Sequence, residues 1–165
     1  MADVIAYQLY YDNIEEYLKY YDVDIQSTKV AILCFVKQDG RSHAFDFNRS
    51  IFSKDVSIDH AVIFCRSKPG LFTSYKTISH EVLHLFGAWD LYEGEPQNEE
   101  KAKKLKEMYP TSIMLTTYGR KESDLDEINA WRIGWNLNPQ PFYVDYKPEY
   151  RKNIEAMARK KKLKK

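Results

Sequence analysis

The sequence predicts an α+β fold: a small mixed β-sheet packed on a long helix, with a further helix towards the C-terminus. Three observations predict it. Residues 29–36 and 58–65 are apolar runs of strand length, the first rich in branched side chains. Tyr75, Ile78, Val82 and Leu85 recur at helical spacing through one continuous stretch. Leu125, Ile128, Trp131, Arg132 and Trp135 repeat that spacing near the other end of the chain, with Gly134 close to its stop.

Taken in order, residues 3–11 suit a short strand. Asn13 is a helix N-cap, with Glu15 and Glu16 in the first turn where the helix dipole favours acids. Ile14, Tyr17, Leu18 and Tyr21 then give an amphipathic helix over 13–21. The run at 29–36 reads as a central strand. Gln38-Asp39-Gly40-Arg41 predicts a hairpin returning as a strand over 42–47. Residues 48–55 are polar and loop-like, 58–65 form a further strand, and Pro69-Gly70 marks a turn. Thr73 or Ser74 caps the long helix, whose core face is Tyr75, Ile78, Val82 and Leu85. Residues 98–108 read as a solvated helix laced by Glu99–Lys103 and Glu100–Lys104 pairs. Ser123 caps the C-terminal helix, with Asp126 at the reciprocal capping position. Residues 139–148 read as an extended aromatic tail.

The 165 residues fit one domain over 1–150 followed by a basic tail over 151–165 that ends in Arg159-Lys160-Lys161-Lys162 and two more lysines. The 44% hydrophobic and 30% charged fractions describe a globular chain. A net charge of +1 supplies no bulk field for nucleic acid or membrane, and the lysines read as a solvated terminus in preference to a site for an acidic partner or nucleic acid. No apolar run is long enough to cross a bilayer. The first residues lack a basic and then apolar leader. A cytoplasmic protein is therefore expected as the chain stands, and a secreted one if a leader has been removed. Cys34 and Cys65 sit in strand-like apolar runs and read as buried free thiols. His43 and His60 lack ligand spacing to anything and read as structural or surface residues.

The chemistry concentrates in the stretch from His80 to Asp90, which has the pattern HExxHxxGxxD. Residues four apart on a helix lie on one face, so His80 and His84 can offer two imidazole nitrogens to one metal ion. Glu81 points slightly aside, where its carboxylate can reach water at the metal without ligating it, the place of a general base. Gly87 suits the left-handed conformation that ends a helix, and the turn could bring Asp90 round as third ligand. Three protein ligands leave a fourth position open, the pattern of a catalytic rather than a structural site. A plain amphipathic helix gains nothing from these groups, since burying them unpaired is costly.

With Ser112-Ile113-Met114 downstream, these residues resemble the metzincins, zinc metallopeptidases with an extended zinc motif and a methionine turn (Met-turn) beneath the metal. Most members carry histidine as third ligand; a minority, the snapalysin-like ones, carry aspartate, as this chain does at Asp90. The resemblance covers roughly residues 75–135. It implies a metzincin-like fold, one catalytic Zn2+ held by His80, His84 and Asp90, Met114 as an apolar floor, and Glu81 as catalytic base. It implies hydrolysis of peptide bonds, in a peptide or protein substrate lying along an edge strand. That strand is either the one near 44–47 or the run at 58–65. Some metzincins place a tyrosine two residues after the methionine; here Thr116 stands there and Tyr118 follows two later, which makes Tyr118 the candidate oxyanion donor. The alternative is a binding or toxin-like module of the same fold, acting on one protein partner with little general peptidase activity.

Overall fold

The computed structural model describes residues 10, 12–22, 30–45, 59–94, 96–117 and 122–148. The expected strand over 3–11, the loop at 48–55, Tyr118 and the tail at 151–165 lie outside them, save Tyr10. The fold is α+β, with a small mixed sheet and several helices. Helix α1 (Ile14–Tyr20) is capped by Asn13, whose side chain accepts from the Glu16 N–H. Strands β1 (Ala31–Asp39), β2 (His43–Phe45), β3 (Asp59–Lys68) and β4 (Leu71–Phe72) form the sheet. Helices α2 (Tyr75–Leu85), α3 (Glu99–Met108) and α4 (Glu127–Arg132) follow, then a 3-10 helix over Pro141–Tyr146. Among the described residues, no helix is long and apolar enough to cross a membrane.

The hairpin expected at Gln38–Arg41 is not formed. β2 does not pair with β1; β3 lies between them, parallel to β1 and antiparallel to β2. The chain crosses β3 at Gly40, whose N–H donates to the Arg66 carbonyl at 2.9 Å. A Cβ at Gly40 would lie 2.4 Å from Phe64 Cδ1, so only glycine lets the backbone pass over that ring. Ser42 fixes the far side of the crossing by accepting from the Phe64 N–H at 3.1 Å. β3 is thus the central strand, and Ala61, Val62 and Ile63 on it are buried. At Pro69-Gly70 the chain turns into β4, a short antiparallel strand that the sequence did not suggest. Cys34 and Cys65 are free but half-buried, because each lies on a sheet with one partly open face.

Ser74 caps α2 by accepting from the Thr77 N–H at 3.2 Å, and α2 lies against β2 and β3. Its core face differs from expectation: Tyr75 is exposed, while Lys76 and Glu81 are buried. Gly87, at φ +98°, ends the helix and reverses the chain. α3 is not wholly solvated. The Glu100–Lys104 ion pair lies on its outer face, but Leu105 is fully buried and anchors it to the main core. That core joins Ala88, Trp89 and Leu91 to Leu105, Ile113, Met114, Ile128 and Tyr143.

Two further expectations are corrected. The C-terminal helix starts at Glu127 with Asp126, not Ser123, as its N-cap. Asp124 is already committed to a bridge with Ser112, so the chain stays extended there and the helix begins later. Gly134, at φ +86°, stands just past the helix end as expected, but Trp135 lies beyond the helix and is exposed. Residues 139–148 are not an extended tail. Pro141 opens the 3-10 helix with its fixed φ, Tyr143 and Pro148 are buried, and the Tyr143 hydroxyl donates to Glu127 Oε2 at 2.8 Å.

Candidate metal centre

His80 and His84 sit one turn apart on α2, and Asp90 comes back to them on the loop that Gly87 starts. Three atoms converge. Asp90 Oδ1 lies 3.2 Å from His80 Nε2 and 3.1 Å from His84 Nε2, and the two Nε2 atoms lie 3.1 Å apart. The side chains are largely buried, at 12–13% exposure. These residues could hold a metal ion.

The outer faces of the rings argue for the same use. His80 Nδ1 lies 3.0 Å from the Ile113 carbonyl, and His84 Nδ1 lies 3.0 Å from the Ala88 carbonyl. A carbonyl can only accept, so each Nδ1 carries the proton and each Nε2 turns a lone pair inward. Two lone pairs and a carboxylate oxygen then face one point. Asp90 Oδ1 is buried there with no hydrogen-bond partner. Such a group suits a cation, which would satisfy the two lone pairs and the carboxylate oxygen together. Tetrahedral zinc with bonds of about 2.0–2.1 Å sets its ligand atoms about 3.3 Å apart, close to the spacing observed.

The electrostatics follow from burial and from these contacts. Burial works against the His84 imidazolium, but Asp90 outweighs it and leaves the ring more basic than usual. Burial likewise opposes the Asp90 charge, yet contact with His80 and His84 holds its carboxyl well below the ordinary range. Glu81 behaves the other way: burial pushes its carboxyl up, against the pull of His80 and His84. Glu81 lines the same cleft as the three ligand candidates and is 6% exposed.

The cleft measures about 800 Å³. His80, Glu81 and His84 of α2 line it, as do Gly40, Ser42, His43 and Ala44 at and just before β2. β2 pairs with β3 alone among the described residues, so it is a sheet edge beside the candidate metal centre. Of the two segments offered as an edge strand, this is the one beside the cleft; the run at 58–65 is central. The mouth carries Leu71 and Phe72, both exposed. His43 and Tyr92 also line the cleft, and sequence reasoning missed both. Nothing in local spacing marks His43; only the chain crossing brings it there. Tyr92, two residues beyond Asp90, was within reach of a sequence argument.

Met114 is fully buried in the turn that faces this group. Its neighbour Ile113 supplies the carbonyl that His80 Nδ1 meets, and its own carbonyl accepts from the Leu91 N–H at 3.0 Å. The turn therefore touches both ligand-bearing segments. Three polar residues stand behind it; the sequence marked Ser112 with the methionine turn and Asp126 as a cap, and gave no sign of Asn129. Ser112 Oγ donates to Asp126 Oδ2 at 2.7 Å and accepts from the Met114 N–H at 3.1 Å. Asn129 is the third, and it reaches the loop of Asp90. No protein-family model matches the chain, and no curated protein or solved structure matches it.

Proposed function

We propose that the chain is a zinc-dependent metalloendopeptidase of metzincin type, in the snapalysin-like variant with His80, His84 and Asp90 as ligands. The observation that carries this reading is the inward turn of both Nε2 atoms on the orphaned Asp90 Oδ1, beside the buried Glu81. A purely structural ion would have no use for Glu81 or for a wide cleft on one side of the ligands. Bound zinc would supply Lewis acidity, polarising the scissile carbonyl and lowering the pKa of a water.

The chain's own residues supply the rest. Glu81 takes the proton from the attacking water at its carboxylate and passes it to the leaving amine nitrogen. Burial raises its proton affinity, which suits a group that must both accept and return a proton. Main-chain carbonyls of Ile113 and Ala88 keep the two rings in one tautomer and one orientation. The edge of β2 offers main-chain groups for an extended peptide to pair with, across the cleft from Glu81. Met114 is buried in the core behind the turn, as an apolar, polarisable packing residue.

Metal analysis of the purified protein, joined to a cleavage screen on a proteome-derived peptide library, tests the proposal. We expect about one zinc per chain and cleavage abolished by chelation and restored by zinc. A protein that binds zinc but cleaves no peptide would favour the binding module. A protein that binds no zinc would end both readings.

A further inference from the structure

Asp90 is the ligand candidate that no helix positions. It lies on a loop, and its side chain is shorter than histidine's, so its main chain must be brought close and held. Both neighbours of Asp90 are tied. On one side the Leu91 N–H is bound by Met114. On the other side a single side chain takes both main-chain groups of Trp89: Asn129 Oδ1 accepts from the Trp89 N–H at 2.6 Å, and Asn129 Nδ2 donates to the Trp89 carbonyl at 3.1 Å. That carbonyl belongs to the peptide plane that leads directly into Asp90.

Asn129 is itself fixed. It is 0% exposed. Its N–H donates to Asp126 Oδ1 at 2.8 Å, and its Nδ2 lies 3.0 Å from Asp126 Oδ2. These partners also settle the direction of the amide. A carboxylate and a carbonyl need donors, and a peptide N–H needs an acceptor, so Nδ2 and Oδ1 have one satisfying arrangement. The same Asp126 carboxylate receives Ser112 Oγ, which accepts from Met114 N–H, next to the Ile113 carbonyl that meets His80. One buried network therefore links the backbone beside Asp90 to the carbonyl behind His80.

We propose that Asn129, which lies outside the cleft lining, is the positioning residue for the carboxylate ligand: by clamping the Trp89 peptide it sets where Asp90 Oδ1 meets the two imidazoles. This inference rests on the reading of His80, His84 and Asp90 as metal ligands. It adds a second role to α4, which otherwise contributes core packing through Ile128 and Trp131.

The test measures zinc affinity by competition with a chromophoric chelator, the visible spectrum of the Co2+-loaded protein, and the melting temperature of the metal-free protein. It compares the parent, Asn129→Ala, Asp90→Ala and Ile128→Ala. Ile128 is the control, a fully buried neighbour on the same helix. We expect Asn129→Ala to weaken zinc binding about 10–100-fold, the range typical of residues that orient metal ligands. We also expect it to weaken the absorption bands of four-coordinate cobalt. Ile128→Ala should lower the melting temperature at least as much and leave cobalt bands of parental shape and intensity. If Asn129→Ala does not fold, Asn129→Ser, whose hydroxyl can still donate to the Asp126 carboxylate but is too short to span both main-chain groups of Trp89, carries the same comparison. Equal shifts in zinc affinity and spectrum for the residue 128 and residue 129 variants would reduce Asn129 to a packing role and overturn the inference. Should the parent bind neither zinc nor cobalt, the ligand assignment fails and takes the inference with it. Should Asp90→Ala lose zinc while Asn129→Ala keeps parental affinity and spectrum, the inference alone fails.

Discussion

Glu81→Gln exchanges one carboxylate oxygen for an amide NH2 at a side chain that is 6% exposed. Shape and volume are nearly conserved, so packing against α2's neighbours is unchanged. The proton-accepting capacity is gone. A general base contributes about 10²–10⁴-fold, which at about 1.36 kcal/mol per tenfold is roughly 3–5 kcal/mol of barrier. The effect on folding has the opposite sign. Burial raises the Glu81 carboxyl's pKa, so the fold disfavours its charge. A neutral amide escapes that penalty. The metal-free variant should therefore melt at or above the parent's temperature, as happens when a residue is kept for activity at some expense of stability. Zinc should stay near one equivalent, because Glu81 is not among the converging ligand atoms. Peptide cleavage, zinc content and thermal melts of one preparation measure all three. Cleavage at the parent's rate, or loss of zinc together with activity, would refute the assigned role.

Met114→Leu nearly conserves volume at a fully buried site, and urea unfolding should show a loss within about 1.5 kcal/mol. Leu105→Ala removes the side chain that ties α3 to the core; unfolding should register about 2–5 kcal/mol. Tyr109 and Tyr143 are both pushed up to about 12, in each case mainly by burial, with the Glu127 hydrogen bond adding to it at Tyr143. Because the folded state holds these protons above the ordinary tyrosine value of about 10, their stabilisation is complete below that pH and is lost as pH rises from about 10 through 12. Denaturant midpoints measured across that window should fall, and less steeply in Tyr143→Phe.

The convergence of His80, His84 and Asp90 was legible because helical spacing contains its geometry: His80, Glu81 and His84 need only a helix to be set relative to one another. Gly87 added the turn that returns Asp90. Long-range partners were not legible. Gln38-Asp39-Gly40-Arg41 has hairpin chemistry, and nothing local says that β3 will lie between the two strands. The helix α4 starts after Asp126 only because Asp124 is engaged by Ser112. Asn129 meets Trp89 from 40 positions away, and an asparagine in a helix carries no mark of such a contact. At residues 139–148 the prolines suggested an extended course, yet burial of Tyr143 decided for a packed turn.

The spacing of these contacts along the chain also bears on assembly. The three converging side chains all lie within residues 80–90, so closing that loop costs little chain entropy. The groups that hold them come later: Ile113 is 33 positions from His80, and Asn129 is 40 from Trp89. A chain that has not yet been extended past residue 110 already carries every ligand candidate, before the groups that orient them exist. On the proposed metal-site reading, ion capture and ion placement are separable events, the second waiting on α4. An ion that also binds the unfolded chain stabilises the fold by less than its native affinity implies. Melting temperature should accordingly rise with zinc concentration more gently than the native dissociation constant alone would dictate.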